Sequence, residues 1–460
     1  MSAAPPAARL GGRIRHEPED FLVEELPLVA PTGTGDHVLA QVEKRGITTF
    51  DLLLFLSKAL HTSERSIGYA GLKDARAVTR QWVSLPRVDP ARVAALAGPA
   101  FHVLSAACHP HGLKIGHLKG NRFTIRIRDV DLAHEAAARR ALEHMAAHGM
   151  PNPYGGQRFG TKGDGHLLGR ALVTHDHAGF LDTLLGQPSP LEQDVRVQGA
   201  RVAWERGAPE EALELWPRRR RSEKRALSAW LRTHDATAAC EAVPPAARRL
   251  WVSAWQSWVF NRVLERRRAE GTWDEVLAGD IAWLTDSGAC LPATGDARDR
   301  QRAAALLASP TGPLPGYDLH LAQGAPGRLE QEVLAAEGVD PEALREGLGR
   351  MRGSRRPLRV PVREASLEVE PSGSVLVRFV LPPGAFATVL LAQLMDGDTT
   401  GAQAAPVPRP AAGEGSTPRA IQAGEASLLE PDGTPEELGP AGQAGEAWAD
   451  EAGDEADDGA

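Results

Sequence analysis

The sequence predicts an α+β fold in which a sheet of largely antiparallel character is interrupted by a helix-rich insertion. Alternating apolar and polar residues recur in the first third of the chain, as in RFTIRIR from Arg122. Helical sequence rich in Trp and Arg begins near Leu167, and the alternating pattern returns around Arg355. Because period-two alternation indicates strands with one buried face, the two β-rich parts are expected to form one discontinuous domain.

The first elements are predicted to be strands and one helix. Apolar and acidic residues alternate around Phe21 in RIRHEPEDFLVEELPL, and HVLAQVEKRG and VTRQWVSL are also typical of strands. Between the last two, FDLLLFLSKALH is predicted to be a helix capped by Thr49, with Asp51 in its first turn. In RFTIRIR the apolar residues point one way and the arginines the other, which predicts one buried and one basic face.

A helix, a loop and a helical region follow. DLAHEAAARRALEHMAAHG is predicted to be a helix that starts near Asp131 and ends at Gly149, and the loop PNPYGGQRFG comes next. The helical middle contains the basic run RRRRSEKR, flanked by Trp216 and Trp230, and the amphipathic AWQSWVFNRVLERRR. LRVPV, SLEVE and SVLVRFVLP are predicted to be the returning strands, and ATVLLAQLM a core helix.

Composition limits the class of protein. With 460 residues, 42% of them hydrophobic, the chain is long enough for two or three domains. No apolar run reaches the roughly 18 residues of a membrane span. The segment MSAAPPAARLGG lacks the apolar part of a secretory signal, so neither a membrane partner nor export is expected. Three scattered cysteines without zinc spacing predict no metal site and fit a reducing cytoplasm.

The net charge of −8 is unevenly distributed. Residues 401–460 hold 13 Asp and Glu against two Arg, a net of −11, which leaves +3 for residues 1–400. This mildly basic body is compatible with a nucleic-acid partner. After about Asp398 the chain is rich in Ala, Gly, Pro and Glu, so the acidic tail is predicted to be disordered.

The stretch GLKDARAVTRQ places one carboxylate, Asp74, among basic residues directly before a strand. Asp in a glycine-containing turn commonly hydrogen-bonds its own backbone, which is a structural interpretation. The alternative is a catalytic nucleophile or base. Lys73, Arg76 and Arg80 would favour the charged form of a nearby carboxylate and would also suit contact with phosphate. From these residues alone both interpretations stay open.

The loop PNPYGGQRFG combines Asn152, Tyr154, Gln157, Arg158 and Phe159 with glycines and prolines. An aromatic face, amide groups and a guanidinium on a stiff loop are what holding a splayed-out nucleobase requires, although a well-packed turn is an equal alternative. The chain has no GxGxxG that opens a helix, no P-loop and no GxSxG. The candidate chemistry therefore consists of one aspartate and an aromatic loop, without a cofactor.

Eight segments match, in order across roughly residues 13–397, those of a known enzyme family. They are EPEDFLVEE, GDHVLAQVEKRGITT, AGLKDARAVTRQW, IGHLKGNRF, NPYGGQRFG, SAWQSWVFN, PTGPLPG and FVLPPGAFATVLL. Through them the chain resembles the tRNA pseudouridine synthase D (TruD) family. The resemblance implies a pseudouridine synthase catalytic domain with a mixed, largely antiparallel sheet, interrupted by a family-specific insertion. It also implies that the protein isomerises a uridine of tRNA, position 13 in known relatives, without a cofactor.

By this resemblance Asp74 falls on the catalytic aspartate. The residues expected to bind the substrate are Tyr154, Asn152, Arg15, Phe21, Lys73, Gln81 and Arg158. Tyr154 falls where the family places an aromatic ring against the target base, and Arg15 where it has a basic residue near the aspartate. The sequence departs from the family at Pro153, where Tyr is usual. It departs again at Ala392 and Gln393, where relatives often have Arg-Glu.

The expected domain boundaries follow from the same order of elements. Residues 1–165 and 356–398 are assigned to the catalytic domain, 166–355 to the insertion, and 399–460 to the tail. The expected partner is tRNA, and the protein is expected to be a cytoplasmic monomer. Two other function classes have different requirements: an RNA-binding protein without catalysis would not need Asp74, and a glycoside hydrolase would need a second carboxylate at catalytic spacing.

Overall fold

The computed structural model describes residues 9–340 and 351–396, so the predicted tail lies outside the described residues. The chain divides into two compact units. The first contains the described residues up to Asn152, residues 285–289 and the described residues from Arg359 onward. The second contains Pro153–Leu284 and Cys290–Leu358. In the described parts of the chain no helix is long and apolar enough to cross a membrane.

The first unit is built on a sheet that has ten strands within the described residues. Eight of them follow one another in the spatial order Arg363–Val369, Val375–Leu381, Leu118–Val130, Phe21–Pro27, Val78–Pro86, His37–Arg45, Phe101–His109 and Ala97–Gly98. Gly11–Arg13 pairs with Leu118–Val130, and Gly68–Tyr69 with Val78–Pro86. Among these described strands only Phe21–Pro27 and Val78–Pro86 are parallel neighbours. The predicted α+β fold with a mixed, largely antiparallel sheet is confirmed.

The buried face of this sheet follows the alternation of the sequence. Phe123, Ile125 and Ile127 are at most 7% exposed and lie in one hydrophobic core. Phe123 stacks on Phe379 of the neighbouring strand, with 5.2 Å between ring centroids. The strand Phe101–His109 is not among the predicted elements, because its small and polar residues do not alternate.

The helices of the first unit within the described residues are Thr49–Leu60, Pro90–Ala94, Glu135–His148 and Ala387–Leu394, with 3-10 turns at Pro18–Asp20, Glu64–Ser66 and Leu132–His134. The short strands Met150–Pro151 and Arg359–Val360 pair with each other. The predicted cap of the first helix is wrong by one residue. Thr48 is the cap: its hydroxyl accepts from the N–H of Asp51 at 3.0 Å, and the Asp51 carboxylate accepts from the N–H of Thr48 at 2.9 Å.

The second unit is mostly helical. Its described helices are Gly165–Val173, His177–Leu185, Val195–Glu205, Pro209–Leu215, Arg221–Thr233, Ala236–Glu241, Pro245–Ala269, Ala297–Ala304 and Gly324–Ala336, with a 3-10 turn at Gly156–Phe159. A sheet of strands in the order Cys290–Pro292, Ile281–Leu284, Ala308–Leu314 and Ser354–Pro357 accompanies them. Gly165–Val173 packs closely on Pro245–Ala269 because Gly169 has no side chain: a Cβ there would lie 2.0 Å from the carbonyl oxygen of Trp251.

Candidate active site

The candidate site of the first unit lies at one edge of its sheet. Phe21–Pro27 and Val78–Pro86 are parallel, so both strands begin at this edge. The loops that lead into them carry Arg15 and Asp74. The antiparallel strand His37–Arg45 ends at the same edge. Three segments that are distant in sequence are therefore brought together around Asp74.

Asp74 is held by two groups. Its Oδ2 forms an ion pair with the guanidinium of Arg15, and its Oδ1 accepts a hydrogen bond from the backbone N–H of Arg76 at 3.1 Å. The Asp74 side chain is 36% exposed, whereas that of Arg15 is 10% exposed. The guanidinium of Arg15 lies over the ring of Phe21, 4.1 Å from its centroid. The result is an oriented carboxylate that is still open to solvent.

Arg15 has an unusual backbone. Its φ of 59° lies in the left-handed region, which a residue with a side chain adopts at an energetic cost. The residue-level hypothesis named Lys73, Arg76 and Arg80 as the basic neighbours of the acid. The guanidinium of Arg80 instead pairs with Glu43 at 2.7 Å. The ion-pair partner of Asp74 is thus supplied by a segment 59 residues earlier in the chain.

Lys73 pairs with a second carboxylate inside the sheet. Its Nζ lies 2.5 Å from Oε2 of Glu25, and the two side chains are 6% and 1% exposed. The other oxygen of Glu25 accepts from the backbone N–H of Trp82 at 3.3 Å. Burial raises the pKa of Glu25, and the nearby Lys73 opposes this shift. Lys73 therefore anchors the loop that carries Asp74 to the buried carboxylate of Glu25.

Gln81 and Thr49 connect the same loop to the first helix. The hydroxyl of Thr49 accepts from the backbone N–H of Lys73 at 3.0 Å and donates to Oε1 of Gln81 at 3.1 Å. Both Thr49 and Gln81 are at most 1% exposed. Within the parts of the chain that are described, no three His, Cys, Asp or Glu side chains are placed to hold a metal ion.

Lys44 is a site residue that the sequence analysis missed. It is 1% exposed, and its Nζ donates to the backbone carbonyl of Asp74 at 2.9 Å. Burial lowers the pKa of Lys44 to about 7. A signal was present in HVLAQVEKR: Lys44 continues the inward-facing series of Val38, Ala40 and Val42. A lysine at an inward position of a strand is rarely buried without a specific partner.

Asn152 ends the part of the first unit that precedes the loop. It is 2% exposed and follows the short strand Met150–Pro151, which pairs with Arg359–Val360. Arg359 also donates from its guanidinium to the backbone carbonyl of His148 at 3.2 Å. These contacts fix the backbone at the start of the PNPYGGQRFG loop.

Tyr154 belongs to the second unit. Its backbone N–H donates to Oδ1 of Asn261 at 2.8 Å, and its carbonyl accepts from Nδ2 of the same side chain at 3.0 Å. The ring meets Phe260 edge-on, with 5.7 Å between centroids. The guanidinium of Arg356 lies over the Tyr154 ring, 4.2 Å from its centroid. Asn261 and Arg356 are contacts that the sequence analysis did not name.

Arg158 is also in the second unit. Its Nε donates to the hydroxyl of Ser257 at 3.0 Å, and its Nη2 to that of Ser253. Its guanidinium carbon lies 5.5 Å from the centroid of Tyr154. Burial lowers the pKa of Arg158 and of Arg356. Two guanidinium groups therefore lie close to the Tyr154 ring.

Acidic partners lie beside three arginines of the first basic stretch of the sequence and beside two of the second. On the polar face of RFTIRIR each of three arginines has an acidic partner: Arg122 pairs with Glu24 and Glu364, Arg126 with Glu370, and Arg128 with Asp20. In the run RRRRSEKR, Arg219 pairs with Asp194 and Arg220 with Glu192. Trp216, which flanks this run in the sequence, is 1% exposed and lies in the helical core, so its ring is not accessible to a nucleic acid.

Known proteins share both the sequence and the fold. The sequence model of the family tRNA pseudouridine synthase D (TruD) matches residues 6–394. The chain is 44% identical over 390 residues to the tRNA pseudouridine synthase D of Geobacter metallireducens, covering 84% of this chain and 95% of that protein. It is 44% identical over 391 residues to that of Geobacter sp. strain M21, with coverages of 84% and 97%.

A solved structure gives the same result for the fold. The crystal structure of the putative tRNA pseudouridine synthase D (TruD) from Methanosarcina mazei superimposes with a TM-score of 0.72 at 27% identity. The match covers 85% of this chain and 95% of the Methanosarcina mazei chain. This chain therefore belongs to the tRNA pseudouridine synthase D (TruD) family.

Proposed function

We propose that this protein isomerises a uridine of tRNA, the one at position 13, to pseudouridine, with Asp74 as its catalytic carboxylate. The observation that carries the proposal is the partly exposed carboxylate of Asp74. It is ion-paired with Arg15 at the edge of the sheet where two parallel strands begin. Both residues lie in segments that match the family. The named relatives are tRNA pseudouridine synthases.

The reaction needs a carboxylate and a closed place for the base. The bond between C1′ and N1 of uridine breaks, and a bond between C1′ and C5 forms. The proton on C5 is lost and N1 gains one, so the change is an isomerisation without net oxidation. Asp74 serves by adding to the sugar, by adding to the base, or by accepting a proton as a glycal forms. Arg15 holds Oδ2 and the N–H of Arg76 occupies one lone pair of Oδ1, so the second lone pair of Oδ1 is the one assigned to the substrate.

The other proposed site residues are assigned to binding the substrate or to supporting the loop that carries Asp74. Asn152, Tyr154 and Arg158 are assigned to the flipped-out uracil, with the Tyr154 ring as a stacking surface. Phe21 shapes the pocket beside Arg15, as its contact with that guanidinium supports. Gln81 and Lys73 are almost fully buried, and they contribute to binding by supporting the loop that carries Asp74.

We assign residues 1–165 and 356–398 to the catalytic domain. Residues 166–355 are assigned to an insertion that binds the tRNA through its phosphates and shape. The protein acts as a monomer in the cytoplasm and uses no cofactor.

The test is a conversion assay on an unmodified tRNA transcript. Wild-type protein is expected to form pseudouridine at position 13, as mapped by carbodiimide modification and primer extension, whereas Asp74→Asn and Asp74→Ala form none and still bind tRNA. The matched control is Asp131→Asn, which is expected to keep full activity, because Asp131 Oδ1 likewise accepts from the backbone N–H two residues on, that of Ala133, at 3.0 Å. Pseudouridine from Asp74→Ala would overturn the mechanism, and free uracil from the wild type would favour a hydrolase.

A further inference from the structure

Lys44 joins the loop of Asp74 to the rest of the first unit. The residue is 1% exposed, so its ammonium group lies inside the protein. Nζ donates to three backbone carbonyls: Ile47 at 2.7 Å, Asp74 at 2.9 Å and Lys73 at 3.4 Å. Two of these carbonyls belong to the loop, and the third lies just before the helix Thr49–Leu60. One side chain therefore fixes the backbone on which the carboxylate stands.

The number of acceptors matches the charged form of Lys44. An ammonium group has three N–H donors and no acceptor, and three carbonyl oxygens surround it. A neutral amine would have two donors and one lone pair. One carbonyl would then lose its partner and face that lone pair, which is costly for a buried polar group. The geometry of the loop thus depends on the proton of Lys44.

The surroundings of Lys44 make this proton easy to lose. Burial, aided by the nearby charge of Lys73 and opposed by the carboxylates of Asp74 and Asp51, lowers its pKa to about 7. The charged groups that act on Lys44 are Asp74, Lys73 and Asp51. Asp74 is itself paired with Arg15, and Lys73 with Glu25. An ordinary lysine stays protonated throughout the neutral range.

We propose that protonated Lys44 is a positioning residue for the reaction, holding the loop so that the Asp74 carboxylate meets the uridine. The inference rests on the proposed function, because it concerns the carboxylate assigned there. Lys44 acts through Asp74, since its own side chain is buried. When Lys44 loses its proton or its side chain, the loop relaxes, and the rate of the chemical step falls while tRNA affinity is kept.

The experiment measures single-turnover pseudouridine formation and tRNA affinity between pH 6.5 and 8.5. For Lys44→Met the rate at pH 6.5 is expected to fall about 10- to 100-fold, as for other small misplacements of a catalytic group, with the Kd for tRNA nearly unchanged. The wild-type rate is expected to fall as the pH rises above 7. Lys44→Arg, whose charge does not titrate in this range, is expected to recover part of the rate and to lose this decline.

The control is Lys162→Met in the second unit. Lys162 is similarly enclosed, with 9% of its side chain exposed, and pairs with Asp164 at 2.6 Å. Its loss is expected to leave the pH profile unchanged. A wild-type rate that is flat above pH 7, or the same decline in Lys44→Arg, would overturn the inference even if Lys44→Met does not fold. Absence of pseudouridine from the wild type would instead overturn the proposed function.

Discussion

Replacing Lys73 by Met is expected to destabilise the first unit strongly, because it leaves the carboxylate of Glu25 buried without its countercharge. The pair is separated by 2.5 Å, and its side chains are 6% and 1% exposed. Water cannot take the place of the lost ammonium group at this depth, and removing one partner of a buried pair typically costs about 3–5 kcal/mol. The N–H of Trp82 still donates to the other oxygen of Glu25 and offsets only part of this loss.

The loss of stability caused by Lys73→Met is also expected to depend on pH. Burial already raises the pKa of Glu25, and the variant removes the opposing effect of Lys73, so the pKa rises further. A carboxyl whose pKa is raised by folding binds its proton more readily in the folded state. Its contribution to stability is therefore present at low pH and is lost as the pH rises through the folded-state value. The destabilisation by Lys73→Met is expected to be smaller at pH 5 than at pH 8.

The assay is urea unfolding of the full chain, followed by tryptophan fluorescence at both pH values, with the free energy of unfolding taken from midpoint and slope. The control is Glu368→Gln, which breaks an exposed pair with Arg378 at 2.7 Å and should cost less than about 1 kcal/mol. A loss for Lys73→Met as small as that of the control, or equal losses at both pH values, would refute the reasoning.

Three further predictions concern charge. Arg15→Met removes the charged partner of Asp74, so the single-turnover rate should fall about 10- to 100-fold with tRNA binding nearly unchanged; an unaltered rate would contradict the assigned contact. The wild-type free energy of unfolding should rise with pH from about 7 toward 10, because folding lowers the pKa of Lys44 to about 7 and the unfolded chain binds more protons. Urea titrations of Lys44→Met should lack this rise. Deleting residues 401–460 removes 11 net negative charges, so filter binding should show equal or tighter tRNA affinity at low salt, and a large loss of activity would count against it.

The sequence predicted the fold where local patterns determine structure. Alternation in RFTIRIR identified the strand Leu118–Val130 and its buried face, and Gly149 marked the end of the helix Glu135–His148. FHVLSAACH gave no such pattern, so the strand Phe101–His109 was missed. Its position in the sheet depends on pairing with His37–Arg45, which is not a local property.

The candidate site was less accessible to sequence reasoning, because its contacts join distant segments. The parallel pairing of two strands places Arg15 beside Asp74, and no local pattern announces that pairing. Two signals were nevertheless present. Alternation assigns Glu25 to the inward face of its strand with Phe21 and Val23, and it assigns Lys44 to the inward face of the next strand. A charged residue at a position that the pattern predicts to be buried deserves a search for its partner.

The measurement that tests the central claim most directly is the release of tritium from tRNA labelled at C5 of its uridines, under single-turnover conditions. Formation of the new bond at C5 must expel that hydrogen, so release reports the isomerisation itself. Wild-type protein is predicted to release one equivalent of tritium per tRNA, and Asp74→Asn none above the background without protein. Release by Asp74→Asn at the wild-type rate would contradict the assignment of Asp74 as the catalytic carboxylate.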